Sequence, residues 1–210
     1  LVSWDLSSSS GADLTVPGTA IAPNLTPMDI SFGGGLSKEL SHNGAFGLVN
    51  WTVDKEDGYL QFGFTVQPGY QAHVVGLFAS TDSEGTNPAE LGPGHMGLYR
   101  EVGGADQFIA GWTQQPGGFL EPLVLALDLT VTDTLTLKIK RRDDTSTIPG
   151  FPIASTAHWR LHDDRNIVTG AETDMFLHGT VSVVPEPRTY ALIAGLGLLA
   201  FGYGRRRFAK

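Results

Sequence analysis

Two histidines four positions apart, His158 and His162, followed at once by Asp163 and Asp164, are the residues best equipped by type for chemistry. Imidazoles and carboxylates are zinc ligands, and on a helix positions i and i+4 share a face. Trp159 and Leu161 alternate as strand residues do, however. Four residues of strand span about 13 Å, too far for two direct ligands of one ion. The pattern predicts solvated surface residues, and no metal is assigned to them. Other acidic groups offer oxygen ligands for calcium: Asp54, Glu56 and Asp57; Asp82 and Glu84; Asp143 and Asp144; and again Asp163 and Asp164. None has the acidic spacing and glycine of an EF-hand loop, so structural calcium stays an option without a preferred site, and no other cofactor is expected. The chain has no Gly-x-Ser-x-Gly elbow, no phosphate-binding Gly-Lys-Ser/Thr loop and no His-Glu-x-x-His. Gly33-Gly34-Gly35 has no helix after it and reads as a plain turn rather than an anion nest. With no cysteine, thiol catalysis, Cys-ligated zinc and iron–sulfur centres are excluded. Carboxylate pairs of the glycosidase kind cannot be singled out where acids are this numerous. The expectation is a protein that is not an enzyme.

Aromatic residues are the remaining candidates. Sugars dock on flat aromatic faces, and Trp51, Trp112, Trp159, Tyr70 and Tyr99 are available. Buried aromatics also dominate the space between packed sheets, and the strand-like surroundings of Trp51 and Trp159 assign those two to the core. Trp112 precedes the polar run Thr113-Gln114-Gln115-Pro116-Gly117-Gly118 and is expected at an exposed loop mouth. Trp112 and Tyr99 are therefore the candidate glycan contacts.

The elements that must position these residues read as strands. Gly (27) and Pro (12) punctuate short apolar runs, the pattern of an all-β sandwich or barrel. Val2, Trp4 and Leu6 alternate with polar neighbours. Ser7 to Gly11 reads as a turn, and Ala12 to Pro27 as an irregular crossing segment. Met28 to Phe32 and Ala45 to Val53 read as strands, and Asp57-Gly58 as a hairpin signal. Leu60, Phe62, Phe64 and Val66 share a face; after the Gln67-Pro68-Gly69 turn comes Val74 to Ala79. A polar loop is expected over Thr81 to Gly94, then strands at Met96 to Val102 and Gln107 to Trp112. Leu123, Leu125, Leu127 and Leu129 form one face of the next strand, and Leu135, Leu137 and Ile139 one face of another, with Thr134, Thr136, Lys138 and Lys140 turned to solvent. Phe176 to Val184 is the last strand. The period is two throughout, and no segment before residue 185 sustains a helical repeat.

Residues 185 to 210 differ in kind. Pro185-Glu186-Pro187 is followed by an uncharged apolar run from Tyr190 to Tyr203, then by Arg205, Arg206 and Arg207. A helix over 190–203 spans about 21 Å, short of the roughly 30 Å hydrocarbon layer. Yet it is apolar on every face, tyrosines stand at both ends as in aromatic belts, and basic side chains at one end can snorkel to make up length. A short transmembrane helix is therefore expected rather than a core helix. This Pro-Glu-Pro, apolar helix and terminal arginine cluster resemble the PEP-CTERM sorting signal of exported bacterial proteins, the substrates of exosortase. The resemblance implies an exosortase-type processing enzyme as partner, transient residence in the inner membrane, and a place at the cell surface or in an exopolysaccharide-rich biofilm matrix. Tyr59 to Trp112, Trp159-Arg160-Leu161 and Leu177 to Val181 also resemble the β-sandwich ectodomain that commonly precedes this signal, which implies a jelly-roll-like topology.

Charge divides at the same point. Residues 1–184 carry nine basic and 21 acidic side chains, net −12; residues 185–210 carry five and one, net +4. The acidic body would repel a nucleic-acid backbone, so none is expected as a partner. By the positive-inside rule the basic end stays cytoplasmic and the body lies outside. An export signal is expected to have been removed ahead of Leu1 or to lie beyond this stretch. The organisation expected is an antiparallel two-sheet β-sandwich ectodomain over 1–184 and a sorting signal over 185–210.

Overall fold

Alternating side chains build every large element of this chain. The structure, a computed structural model, describes residues 1–6, 14–38, 45–49, 57–82, 94–113, 121–142, 158–162, 164–165, 172–173, 175–184 and 196. The strands are β1 (Val2–Trp4), β2 (Gly18–Ala20), β3 (Leu25–Gly33), β4 (Ser37–Lys38), β5 (Ala45–Val49), β6 (Tyr59–Val66), β7 (Tyr70–Asp82), β8 (His95–Val102), β9 (Ala105–Thr113), β10 (Glu121–Val131), β11 (Thr134–Arg141), β12 (His158–His162), β13 (Asp164–Arg165), β14 (Glu172–Thr173) and β15 (Met175–Val183). The protein is all-β, with two main antiparallel sheets.

The smaller sheet has the order β3-β6-β11-β8-β9. The larger runs β2-β1-β15-β7-β12-β5-β4, with β10 also on β7. Residues 72–78 of β7 pair with β15 and with β10 at once, so these lie on opposite edges of β7. A separate ribbon pairs β13 with β14.

The two sheets meet through their inward faces, as a sandwich requires. Leu60, Phe62 and Phe64 of β6, with Leu135, Leu137 and Ile139 of β11, are fully buried. They share one core with Trp4, Val74, Leu77, Trp159, Leu161 and Leu177 of the larger sheet. Trp4 and Phe62 join the sheets directly, edge to face at 5.4 Å and 78°. The Trp4 indole also donates to the Met28 carbonyl at 2.7 Å, so its one polar atom is satisfied. Burying a side chain such as Phe62 contributes about 2–3 kcal/mol.

Several expectations are met. Val2, Trp4 and Leu6 are all buried, and Trp159 is core. Gly34 and Gly35 form a turn after β3. Others need correction. Ala12 to Pro27 is not irregular throughout: it holds β2, the start of β3 and a bridge between Val16 and Ile30. Asp57-Gly58 does not make a hairpin, because β5 belongs to the larger sheet and β6 to the smaller. β7 runs on to Asp82, with Thr81 buried, into what reads as loop. The Ser7 to Gly11 turn, Trp51 and most of the acidic clusters lie outside the described residues. So do residues 185–210 apart from Leu196; among the described residues no helix is long and apolar enough to cross a membrane.

Candidate functional site

The outward face of the smaller sheet carries the densest arrangement of charged and aromatic groups among the described residues. It follows from register. On β11 the apolar positions Leu135, Leu137 and Ile139 point inward, so Lys138 and Lys140 point outward. Lys138 stands opposite Gln61 of β6 and Tyr99 of β8; Lys140 stands opposite Tyr59 and Gly97. Arg142, just past the strand end, continues the row, since added Cβ atoms at Gly97 and Gly111 would both press on its side chain. Two-residue steps along a strand set these cations about 7 Å apart.

Each cation lies over a ring from another strand of the sheet. Lys138 Nζ is 5.0 Å from the Tyr59 centroid, Lys140 Nζ 5.8 Å from that of Tyr99, and the Arg142 guanidinium carbon 5.0 Å from that of Phe108. These are cation–π distances. Tyr99 and Phe108 meet edge to face at 5.5 Å. Gly97 and Gly111 pair across β8 and β9, and the room that their missing side chains leave is taken by the Arg142 side chain.

Two carboxylates complete the face. β8 and β9 form a hairpin through Gly103 and Gly104, whose φ values of 61° and 81° suit the two-residue turn that glycine makes easily. The hairpin sets Glu101 opposite Asp106. Like charges in that position repel. Lys138 bridges them, at 2.7 Å from Glu101 and 3.0 Å from Asp106, while Lys140 takes the other Asp106 oxygen at 3.1 Å.

Only 13% of the Lys138 side chain and 22% of the Asp106 side chain are exposed. Burial alone would raise the Asp106 carboxyl, but hydrogen bonds and charge attraction from Lys138 and Lys140 outweigh it and hold the group below its usual range. At Lys138 burial alone would lower the ammonium, and hydrogen bonds and charge from Glu101 and Asp106 hold it above its usual range. Near neutral pH both stay charged. Lys138 is then no nucleophile and Asp106 no proton donor; the pair can orient and bind a ligand. A glycosidase acid requires the opposite shift, a raised carboxyl.

Of the two candidate glycan contacts, Tyr99 lies on this face, half-buried. Trp112 does not. It pairs with the fully buried Met96 and packs, half-buried, against the core. Its indole nitrogen is buried without a hydrogen-bond partner among the described residues. The residue before a polar loop is thus turned inward by strand register, and Trp112 and Tyr99 sit on opposite faces of one sheet. Lys138 and Lys140 do face outward, but they are bound into a network rather than simply solvated. Tyr59, Glu101, Asp106, Phe108 and Arg142 escaped sequence reading. The signal available for them was the row Lys138, Lys140, Arg142 at period two in an acidic chain.

His158 and His162 are the two ends of β12 and flank the buried Trp159 and Leu161, as strand residues; His162 is half-buried rather than fully solvated. Among the described residues no three His, Asp or Glu side chains converge to hold a metal. The sorting motif Pro185, Glu186 and Pro187 and the arginines Arg205 to Arg207 lie outside the described residues.

The chain matches no family model, no curated protein and no solved structure.

Proposed function

We propose that this chain is an exported, non-enzymatic protein of the cell surface or extracellular matrix, sorted by an exosortase-type enzyme and associated with exopolysaccharide or biofilm. In this reading the body is a jelly-roll-like sandwich. Residues 190–203 form a single short helix held transiently in the inner membrane, with Arg205 to Arg207 on the cytoplasmic side.

The observation that carries the reading is the junction between body and tail. β15 ends at Val183, and the Val184 amide donates to the Gly69 carbonyl at 2.9 Å. The next residue is Pro185, the first of the sorting motif. The body's last strand is thus hydrogen-bonded to its end before the motif begins, so cleavage beyond Val184 leaves every described strand whole. The fixed charges of Lys138 and Asp106 support a binding role over acid–base catalysis.

Intact mass of the secreted protein, from cells with and without the processing enzyme, tests this. Residues beyond the Pro-Glu-Pro motif are expected to be lost only when the enzyme is present. A secreted protein ending at Lys210 in both cells would overturn the proposal. Replacing Arg205 to Arg207 together with Ser is expected to impair processing and retention while the body stays folded.

A further inference from the structure

The geometry points to the outward face of the smaller sheet as a binding platform for an uncharged polysaccharide, with Phe108 as its apolar contact. This takes up the polysaccharide partner of the proposed function and gives it a surface and a chemistry.

Phe108 is 52% exposed, on β9, the edge strand of its sheet. The apolar C–H face of a sugar ring packs on such a ring. Beside it the face presents donors and acceptors together: Lys140 and Arg142 donate, Glu101 and Asp106 accept. A sugar hydroxyl is at once a donor and an acceptor, so a hydroxyl-rich chain uses both kinds of group. These side chains are held in place before a ligand arrives, through the bonds of Lys138 to both carboxylates and of Lys140 to Asp106. Pre-ordered polar groups give up little conformational entropy on binding. Gly97 and Gly111 leave room for the Arg142 side chain to lie close over β8 and β9, which holds its guanidinium low beside Phe108.

Charge decides against a polyanion. The three cations of the row meet two carboxylates on the same face, and the body around them is net −12. An acidic polysaccharide would gain little at the row and would be repelled elsewhere. On the larger sheet the described outward aromatics Phe78 and Phe176 instead stack flat on one another at 4.8 Å and 9°.

Native electrophoresis of the full chain through gels containing hydroxyethyl cellulose, dextran or polygalacturonate tests the platform directly. We expect retardation by at least one of the two neutral polymers, insensitive to added salt. Phe108→Ala should abolish it, Phe108→Tyr should keep it, and Phe176→Ala should leave it unchanged, with unaltered melting of the Phe108 variants confirming the fold. Retardation by neither neutral polymer overturns the inference, as does retardation by polygalacturonate alone that salt removes. Retention unchanged in Phe108→Ala overturns the assignment of the face. Binding is read on purified protein, so it can fail while sorting stands, and sorting can fail while binding stands.

Discussion

The two outward faces of the sandwich are built by the same alternation and end up unlike. On the smaller sheet, outward side chains reach one another across strands: three cations over three rings, with two carboxylates between them. On the larger sheet the contacts differ in kind. Its described outward contacts include the Phe78–Phe176 stack and the His73–Asp128 pair, at 2.7 Å with 93% of the Asp128 side chain exposed. Val124, on the edge strand β10, is 60% exposed and stands opposite Phe78, so it adds an apolar neighbour to the stack rather than a charged one. An outward position thus acquires a role only when its cross-strand neighbours are chemically matched to it.

The faces rest on equally strict backbones, and that is where the largest effects lie. An added Cβ at Gly63 in the smaller sheet would sit 1.9 Å from the Leu135 carbonyl oxygen, and one at Gly179 in the larger sheet 2.0 Å from that of His73. Gly63→Ala and Gly179→Ala should each cost about 3 kcal/mol in chemical denaturation. If one is tolerated and the other not, the sheets differ in rigidity as well as surface. Next in size is Phe176→Ala, which removes half of the stack from a half-buried site. A loss of about 1–2 kcal/mol is expected, read as a shift in denaturation midpoint.

The Asp106→Asn change should cost about 1 kcal/mol, since it leaves Lys140 without its carboxylate while Lys138 keeps Glu101. This loss depends on pH. Asp106 has a folded pKa below its unfolded value of about 3.9, so its contribution is present above that value and fades as pH falls through the folded one. Lys138 has a raised folded pKa, so its share is present below about 10.4 and is lost as pH rises through the folded value. The difference between parent and variant should be level from about pH 5 to pH 9 and shrink in acid, and salt should reduce it. Smallest of all is Asp128→Ala on the larger sheet, where no resolvable change in melting temperature is expected. A measurable loss there would erase the contrast between the two faces.

Alternation made the core readable in advance. Leu60, Phe62 and Phe64, like Leu135, Leu137 and Ile139, are named by a period of two that only burial on one side explains. What the pattern lacks is partnership. Asp57-Gly58 has hairpin chemistry, but which sheet a strand joins depends on pairings distant in sequence, such as β3 with β6 and β12 with β5. Trp112 was misplaced for a related reason. Its polar neighbours describe the loop that follows, whereas its direction is set by Met96 across the ladder. An extra residue on β9, between Phe108 and Ala110, then lets Phe108 face outward beside Tyr99. No local signal marks that bulge. The cation row could be read from spacing alone, but its rings and carboxylates come from three other strands.

The placement of β15 has a mechanical consequence. It lies between β1 and β7, antiparallel to both, with one register shift against β7 between His178 and Gly179, and the chain leaves it at Val184. Hydrogen bonds in an antiparallel ladder run perpendicular to the strands. A pull on the C-terminal end therefore shears the whole ladder at once, whereas a strand peeled sideways from an edge would open one bond at a time. The ladder of β15 is thus arranged to resist a pull along its own length better than one across it.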